Sequence, residues 1–226
     1  MSQYKQMRST MAFIFDLDGV IVDTAKYHYL AWHQLADRLG IPFNKADNER
    51  LKGVSRVQSL ELLLSLGGRR ISAAEKQQYL EEKNRQYLSF VHKMTTDEIL
   101  PGVPALLDFL DANHIRYALG SASKNAALIL QKVGLYERFS AIVDGNEVAQ
   151  AKPAPEVFLL GAQKLKVQAQ DCVVVEDAIA GVEAARAAGM KCIGIGDKEV
   201  LGKADIVFKE MADIDINYIK NLINND

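Results

Sequence analysis

Ala12-Phe13-Ile14-Phe15-Asp16-Leu17-Asp18-Gly19 joins four continuous apolar residues to two carboxylates and a glycine. A short, uninterrupted apolar run suits a strand buried on both faces of a parallel sheet. The abrupt change at Asp16 marks where such a strand leaves the core. Four later segments repeat the pattern, at 115–119, 141–143, 172–175 and 192–195, and 206–208 adds a candidate edge strand. Helical patterns lie between them. One at 103–113 follows Pro101-Gly102, one at 125–133 is stopped by Gly134, one at 155–165 has Pro155 in its first turn, and one at 180–188 is stopped by Gly189. Strands alternating with helices of this length predict right-handed βαβ units and an α/β fold with a doubly wound, Rossmann-like parallel-sheet core.

Residues 25–93 break the alternation. They contain no strand pattern and read as three helices: 25–39 closed by Gly40, 56–66 closed by Gly67-Gly68, and a long charged one at 73–92. An all-helical block inserted after the first strand predicts a small helical cap domain at 25–93, with residues 1–24 and 94–226 forming the catalytic core. The cleft between two such units is a natural ligand site.

A chain of 226 residues is long enough to bury this core. Its net charge of −2 provides no basic field for nucleic acid, so anionic substrates must be held by a few placed cations. Two cysteines, Cys172 and Cys192, both in apolar runs, fit a reducing compartment rather than a disulfide framework. Residues 1–10 are polar and lack the apolar stretch of a signal peptide, and no run reaches the length of a membrane span. The expectation is a cytoplasmic protein with residues 1–10 as a disordered extension.

The chemistry is carried by four places at strand ends. Asp16 and Asp18 sit where open α/β sheets bind ligands, and Gly19 permits the turn that lets them converge. Glu176-Asp177 ends the 172–175 run in the same way, although Asp177 could simply cap the next helix. Four acids at one edge repel one another unless a cation sits among them, and an oxygen-rich set suits Mg²⁺. Gly120-Ser121-Ala122-Ser123-Lys124-Asn125 follows a strand and opens a helix, a place where hydroxyls and free N–H groups bind phosphate. Lys152, held in Ala151-Lys152-Pro153-Ala154-Pro155, arrives at the same edge shortly after the 141–143 strand. Together they predict phosphoryl transfer. A carboxylate nucleophile forms an aspartyl phosphate, its partner acts as general acid and base, and Mg²⁺, Lys152 and Ser121 offset the charge of the transferring group.

These motifs resemble those of the haloacid dehalogenase superfamily: Asp16-Leu17-Asp18-Gly19-Val20, then Ser121, Lys152-Pro153-Ala154-Pro155 and Glu176-Asp177-Ala178, in this order from about residue 13 to 208. The resemblance implies Asp16 as nucleophile and Asp18 as acid and base. It implies Mg²⁺ on the Asp16 carboxylate, the Asp18 backbone carbonyl, and Glu176 or Asp177. Dehalogenase members lack the second aspartate, so Asp18 points to phosphate chemistry.

Within that superfamily the helical insert resembles a cap that selects the substrate. Thr24, His28 and Trp32 are spaced to share one helix face. Lys52-Gly53-Val54-Ser55-Arg56 is a basic, glycine-containing loop with Ser59 just beyond, and Lys83-Asn84 lies on the long helix, where a solvated charge is the default. These residues are similar to those of the β-phosphoglucomutase family more than to generic phosphatases. That similarity implies that Arg56, Lys124 and Asn125 grip the phosphate not being transferred, beside Ala122 and Ser123. It implies that Gly53, Val54, Ser59 and Lys83, with Lys52 and Ser55 of the same loop, contact or position the sugar, and that His28 hydrogen-bonds Asp18. The implied reaction interconverts β-D-glucose 1-phosphate and glucose 6-phosphate through β-glucose 1,6-bisphosphate, which also serves as activator. The alternative is a Mg²⁺-dependent sugar-phosphate phosphatase, which shares every core residue. The expected partners are small sugar phosphates, with no nucleic acid or membrane, and the expected state is a monomer, because a cap that opens and closes needs no second subunit.

Overall fold

The computed structural model describes residues 11–224, so the expectation for residues 1–10 lies outside the described residues. Six strands form one wholly parallel sheet: β1 (Ala12–Phe15), β2 (Tyr117–Gly120), β3 (Ala141–Val143), β4 (Cys172–Glu176), β5 (Lys191–Ile195) and β6 (Ile206–Phe208), in the order β3-β2-β1-β4-β5-β6. This is the doubly wound arrangement, with the order reversing beside β1. The crevice past the carboxyl ends of β1 and β4 is therefore the topological switch point.

Register sets what meets there. Phe15 lies opposite both Leu119 and Val175, so Asp16, Gly120 and Glu176 emerge side by side. The Asp16 N–H donates to the Val175 carbonyl at 2.9 Å, which extends the ladder by one residue beyond the strand. Both faces of the sheet are covered, which explains the unbroken apolar runs. Phe13, Phe15, Leu119 and Val175 pack into one buried cluster, while Ile14, Ala118, Val174 and Cys192 pack into another on the opposite face.

Between β1 and β2 the chain is helical: α1 (Ala25–Leu39), α2 (Lys45–Glu49), α3 (Arg56–Leu66) and α4 (Ala73–Val91). These helices bury a cluster of their own, including Trp32, Leu35, Leu39, Leu60 and Leu63. Their ends are set by local chemistry. Ser55 and Ser72 close capping boxes with Gln58 and Glu75, and Gly40 ends α1 in the left-handed conformation at φ 64°. The remaining helices are α5 (Val103–Ala112), α6 (Ala126–Lys132), α7 (Glu156–Leu165), α8 (Ile179–Ala187) and α9 (Ile216–Asn224).

The differences from the sequence reading are local. The second strand begins at Tyr117 and runs to Gly120, because the chain is still turning out of α5 at Ile115. The N-cap of α8 is Ala178, so Asp177 is not a helix cap and its carboxylate is free to face the cleft. The short α2 and the C-terminal α9 have no counterpart among the expected helices; α9 lies beyond the last expected strand and buries Ile219 against the first cluster.

Phe158 of α7 is fully buried and meets β2 at Gly120, whose missing side chain leaves room for the ring: a Cβ there would lie 3.0 Å from it. Phe158→Ala is expected to cost roughly 3–5 kcal/mol, read as a fall in the urea midpoint at unchanged slope; a loss below about 1 kcal/mol would contradict this packing.

Candidate active site

At the sheet edge Lys152 is the hub. Its ammonium donates to Asp16 Oδ1 at 2.6 Å and to Glu176 Oε1 at 2.7 Å, and it lies 4.7 Å from the centre of the Phe158 ring. Burial alone would depress this lysine, but the charges of Asp16 and Glu176 outweigh it and raise its pKa above the ordinary value. The second oxygen of Glu176 accepts from the Ala178 N–H at 2.6 Å. Both Glu176 oxygens are thus committed inside the protein, and the carboxylate touches neither solvent nor cleft. Asp16 is nearly as buried, and its Oδ2 accepts from the Asp18 N–H at 3.1 Å.

Asp18 is held from the helical side. Thr24, at the N-terminus of α1, donates its hydroxyl to Asp18 Oδ1. His28 Nε2 stands 3.8 Å from Asp18 Oδ2, outside hydrogen-bond distance, so here the hydrogen bond expected from His28 is made by Thr24 instead. The other imidazole nitrogen, Nδ1, is 2.9 Å from Lys83 Nζ. Lys83 is not the solvated lysine its place on a charged helix suggested. It is 2 % exposed and stacked between Trp32 and Tyr87, 4.8 and 4.7 Å from the ring centres. Burial, aided by Arg56, drives the Lys83 pKa far down, and burial with Lys83 does the same to His28. Burial, then the neighbouring charge of Asp16, raises Asp18 to about 7.

Asp177 faces the same point. Its carboxylate lies against the Asp16–Gly19 turn: a Cβ on Gly19, which has φ +79°, would come 2.6 Å from Asp177 Cγ, so only glycine fits there. Burial, then Glu176, pushes Asp177 well above the usual carboxylate range, and among the described residues the cation paired with it is Lys52 at 3.4 Å. Four carboxylates thus meet two ammonium groups, Lys152 and Lys52. That excess of negative charge, with Asp177 oxygen in reach and Glu176 spoken for, fits a hard divalent cation. Among the described residues no three His, Cys, Asp or Glu side chains enclose a metal unaided. Mg²⁺ takes few carboxylates and fills its octahedron with carbonyl and water oxygens, so Asp16 and Asp177 with a backbone carbonyl would suffice for it.

The loop after β2 is stiffened by its own hydroxyls. Ser121 Oγ accepts from the Ser123 N–H at 3.1 Å, and Ser123 Oγ accepts from the Asn125 N–H at 3.2 Å. Gly145 lies against the Ala122 carbonyl, and Asn146 donates to the Lys124 carbonyl at 3.1 Å, bracing the loop from β3.

These pieces enclose a cleft of about 410 Å³. Of the residues expected in the site, Thr24, Lys152 and Glu176 do not line it; Thr24 and Lys152 act from behind on Asp18 and Asp16, which do, and Glu176 holds Lys152. Two cap hydroxyls have structural duties. Ser55 caps α3 through Gln58, and Ser59 donates to the Ser55 carbonyl at 3.1 Å, so each hydroxyl proton is engaged within the helix. Gly53, at φ +71°, lets its loop rest on the start of α8, where a Cβ would lie 2.8 Å from that of Ala178. Asn48 and Tyr87 also line the cleft and were not anticipated. Tyr87 had a signal, one turn beyond Lys83 on the same face; Asn48 had none.

The doubly wound core and the paired strand-end acids define a haloacid dehalogenase-type enzyme, and the chain belongs to the haloacid dehalogenase-like hydrolase family, which matches residues 10–189. Mg²⁺ dependence is general in this family. More particularly, the chain is 43 % identical to Beta-phosphoglucomutase of Bacillus subtilis, over 92 % of this chain and 93 % of that one. A crystal structure of beta-phosphoglucomutase from Clostridium difficile superposes with a TM-score of 0.90 at 42 % identity, covering 95 % of this chain and 97 % of the other. Fructose-1-phosphate phosphatase YqaB of Escherichia coli is more distant, at 33 % identity over 80 % of this chain and 94 % of that one.

A side chain on Gly181 would occupy the space of the Glu176 carboxylate. Gly181→Ala is expected to break the Lys152–Glu176 pair and cost roughly 3–5 kcal/mol. Chemical denaturation at neutral pH checks this, and a wild-type midpoint would show that the pair does not hold the edge together.

Proposed function

We propose that this chain is a phosphomutase that interconverts β-D-glucose 1-phosphate and glucose 6-phosphate through an aspartyl-phosphate enzyme and β-glucose 1,6-bisphosphate, which also primes it. The observation that carries this reading is that one cleft holds, besides Asp16 and Ser121 with Lys152 behind Asp16, a second set of groups suited to an anion: Arg56, Lys124 and Asn125. A phosphatase needs only the first. The kinship with proteins named beta-phosphoglucomutase at 42–43 % identity supports the same choice.

In this reading Asp16 is the nucleophile. The 6-hydroxyl oxygen of β-glucose 1-phosphate attacks the phosphorus of the Asp16 aspartyl phosphate, the bond from phosphorus to Asp16 breaks, and Asp18 takes the hydroxyl proton, which gives the bisphosphate. The bisphosphate turns in the cleft, an Asp16 carboxylate oxygen attacks the phosphorus of its other phosphate, the bond from that phosphorus to the sugar O1 breaks, and Asp18 returns its proton to that oxygen, which releases glucose 6-phosphate and restores the aspartyl phosphate. The two aspartates suit different tasks. Asp16 is tied by Lys152 and the Asp18 N–H, which aims it, whereas Asp18 near pKa 7 exchanges protons at neutral pH. Thr24, the N-cap of α1, holds Asp18 at the junction of the core and residues 25–93. We assign 25–93 as a cap that closes over the core formed by 1–24 and 94–226. The Asp16 carboxylate, the Asp18 carbonyl and Asp177 would hold Mg²⁺, which when bound supplies positive charge against the oxygens of the transferring group. Lys52, Gly53, Val54, Trp32 and Lys83 surround the sugar. Arg56 offers the fork that binds phosphate oxygens bidentately. We further propose a monomeric cytoplasmic enzyme with sugar phosphates as its ligands and no nucleic-acid or membrane partner; among the described residues no helix is long and apolar enough to cross a membrane.

The test is a product partition. With β-glucose 1-phosphate, Mg²⁺ and a trace of glucose 1,6-bisphosphate, the purified chain is expected to form glucose 6-phosphate with little free phosphate, and chelation of Mg²⁺ is expected to stop it. Free phosphate without glucose 6-phosphate would instead make the chain a sugar-phosphate phosphatase. Arg56→Ala is expected to lower kcat/KM for the sugar phosphate by roughly 10- to 100-fold, the loss of one charge-assisted contact.

A further inference from the structure

Asn84 lies one residue after Lys83 on α4, and the roles above leave it unused. Its side-chain carbonyl Oδ1 accepts from Asn125 Nδ2 at 3.0 Å, a contact that spans 41 positions of sequence. The two partners belong to different parts of the fold: α4 in the helical insert and the loop after β2 at the sheet edge. Asn125 stands at the N-cap position of α6 but makes no side-chain cap bond, so its amide is free for this contact. The bond is the end of a thread. Ser121 Oγ holds the Ser123 N–H, Ser123 Oγ holds the Asn125 N–H, and the Asn125 side chain reaches Asn84. Asn84 also shares a surface groove with Arg56 and Arg85, beside the end of the cleft where the non-transferred phosphate would lie.

We propose that Asn84 is a positioning residue, a latch that ties the closed cap to the phosphate loop through Asn125. This inference rests on the mutase reading and deepens it. An amide nitrogen has two hydrogens. With one fixed on Asn84, the other is directed, and the Asn125 amide keeps one donor for a phosphate oxygen while its orientation is set by the cap. Binding of the distal phosphate and closure of the cap then favour each other, because the same side chain is ordered by both. A phosphate carried by acetyl phosphate has no distal phosphate and does not engage the latch. Asn84 thus acts on the choice between sugar hydroxyl and water, not on the attack by Asp16.

The experiment compares wild type, Asn84→Ala, Asn125→Ala and the double variant in two reactions with Mg²⁺. One is phosphorylation of the enzyme by acetyl phosphate. The other is turnover of β-glucose 1-phosphate with trace glucose 1,6-bisphosphate, scored for glucose 6-phosphate and free phosphate. The latch predicts that Asn84→Ala raises KM for the sugar phosphate about fivefold, the effect of one neutral hydrogen bond. It also predicts a larger share of free phosphate, an unchanged rate with acetyl phosphate, and no additional loss when Asn84→Ala is added to Asn125→Ala. An unchanged KM, an unchanged partition, additive losses, or an equal fall in the acetyl phosphate reaction overturns the latch while leaving the mutase intact. A wild-type chain that forms no glucose 6-phosphate overturns the mutase reading, and the latch with it.

Discussion

A buried ammonium between two buried carboxylates organises this protein. Lys152 at 1 % exposure lies far outside what an unpaired lysine tolerates, and Asp16 and Glu176, at the ends of adjacent strands, make the position sustainable. The parallel register of β1 against β4 brings those two carboxylates level. Each has a second oxygen tied by a backbone N–H, from Asp18 and Ala178 respectively, so neither can swing away. One lysine does not neutralise the edge. The remaining negative charge, shared with Asp18 and Asp177, suits a divalent cation, which would in turn let a phosphate approach.

The same edge explains a division of labour among four acids that look alike in sequence. Glu176 points inward and is structural. Asp177, next in the chain, points outward, and glycine at position 19 leaves room for its carboxylate. Asp16 is fixed from the core side by Lys152, whereas Asp18 is touched from the helical side by Thr24, with His28 and Lys83 behind it. In the proposed reaction, groups on the helical side therefore bear on the acid and base, and groups on the sheet bear on the nucleophile. Such a split suits an enzyme in which closure must precede proton transfer.

Much of this was legible in the sequence. The apolar runs ending in acids located β1 and β4 closely, since a strand buried on both faces leaves an unmistakable block of Phe, Ile and Val. The core residues of the cleft followed from motif order at the strand ends, and those of the helical insert from the family resemblance. What was not legible depended on packing between segments far apart. Lys83 reads as solvated on a charged helix, and only the approach of Trp32 and Tyr87 buries it. Whether Glu176 or Asp177 faces the cleft is set by the close passage of α8 at Gly181, which no pattern in the sequence announces. Asn48 and the bond from Asn125 to Asn84 likewise depend on how the helical insert sits over the sheet.

The central claim is that of two aspartates two residues apart, the one anchored by Lys152 carries the phosphoryl group. Mapping the phosphoenzyme tests this directly: the chain is treated with acetyl phosphate and Mg²⁺, the acyl phosphate is reduced with borohydride, and the modified residue is located by peptide mass spectrometry. The account predicts modification at Asp16, with Asp18 untouched. Modification at Asp18, or none at either under conditions where the enzyme turns over, would contradict it.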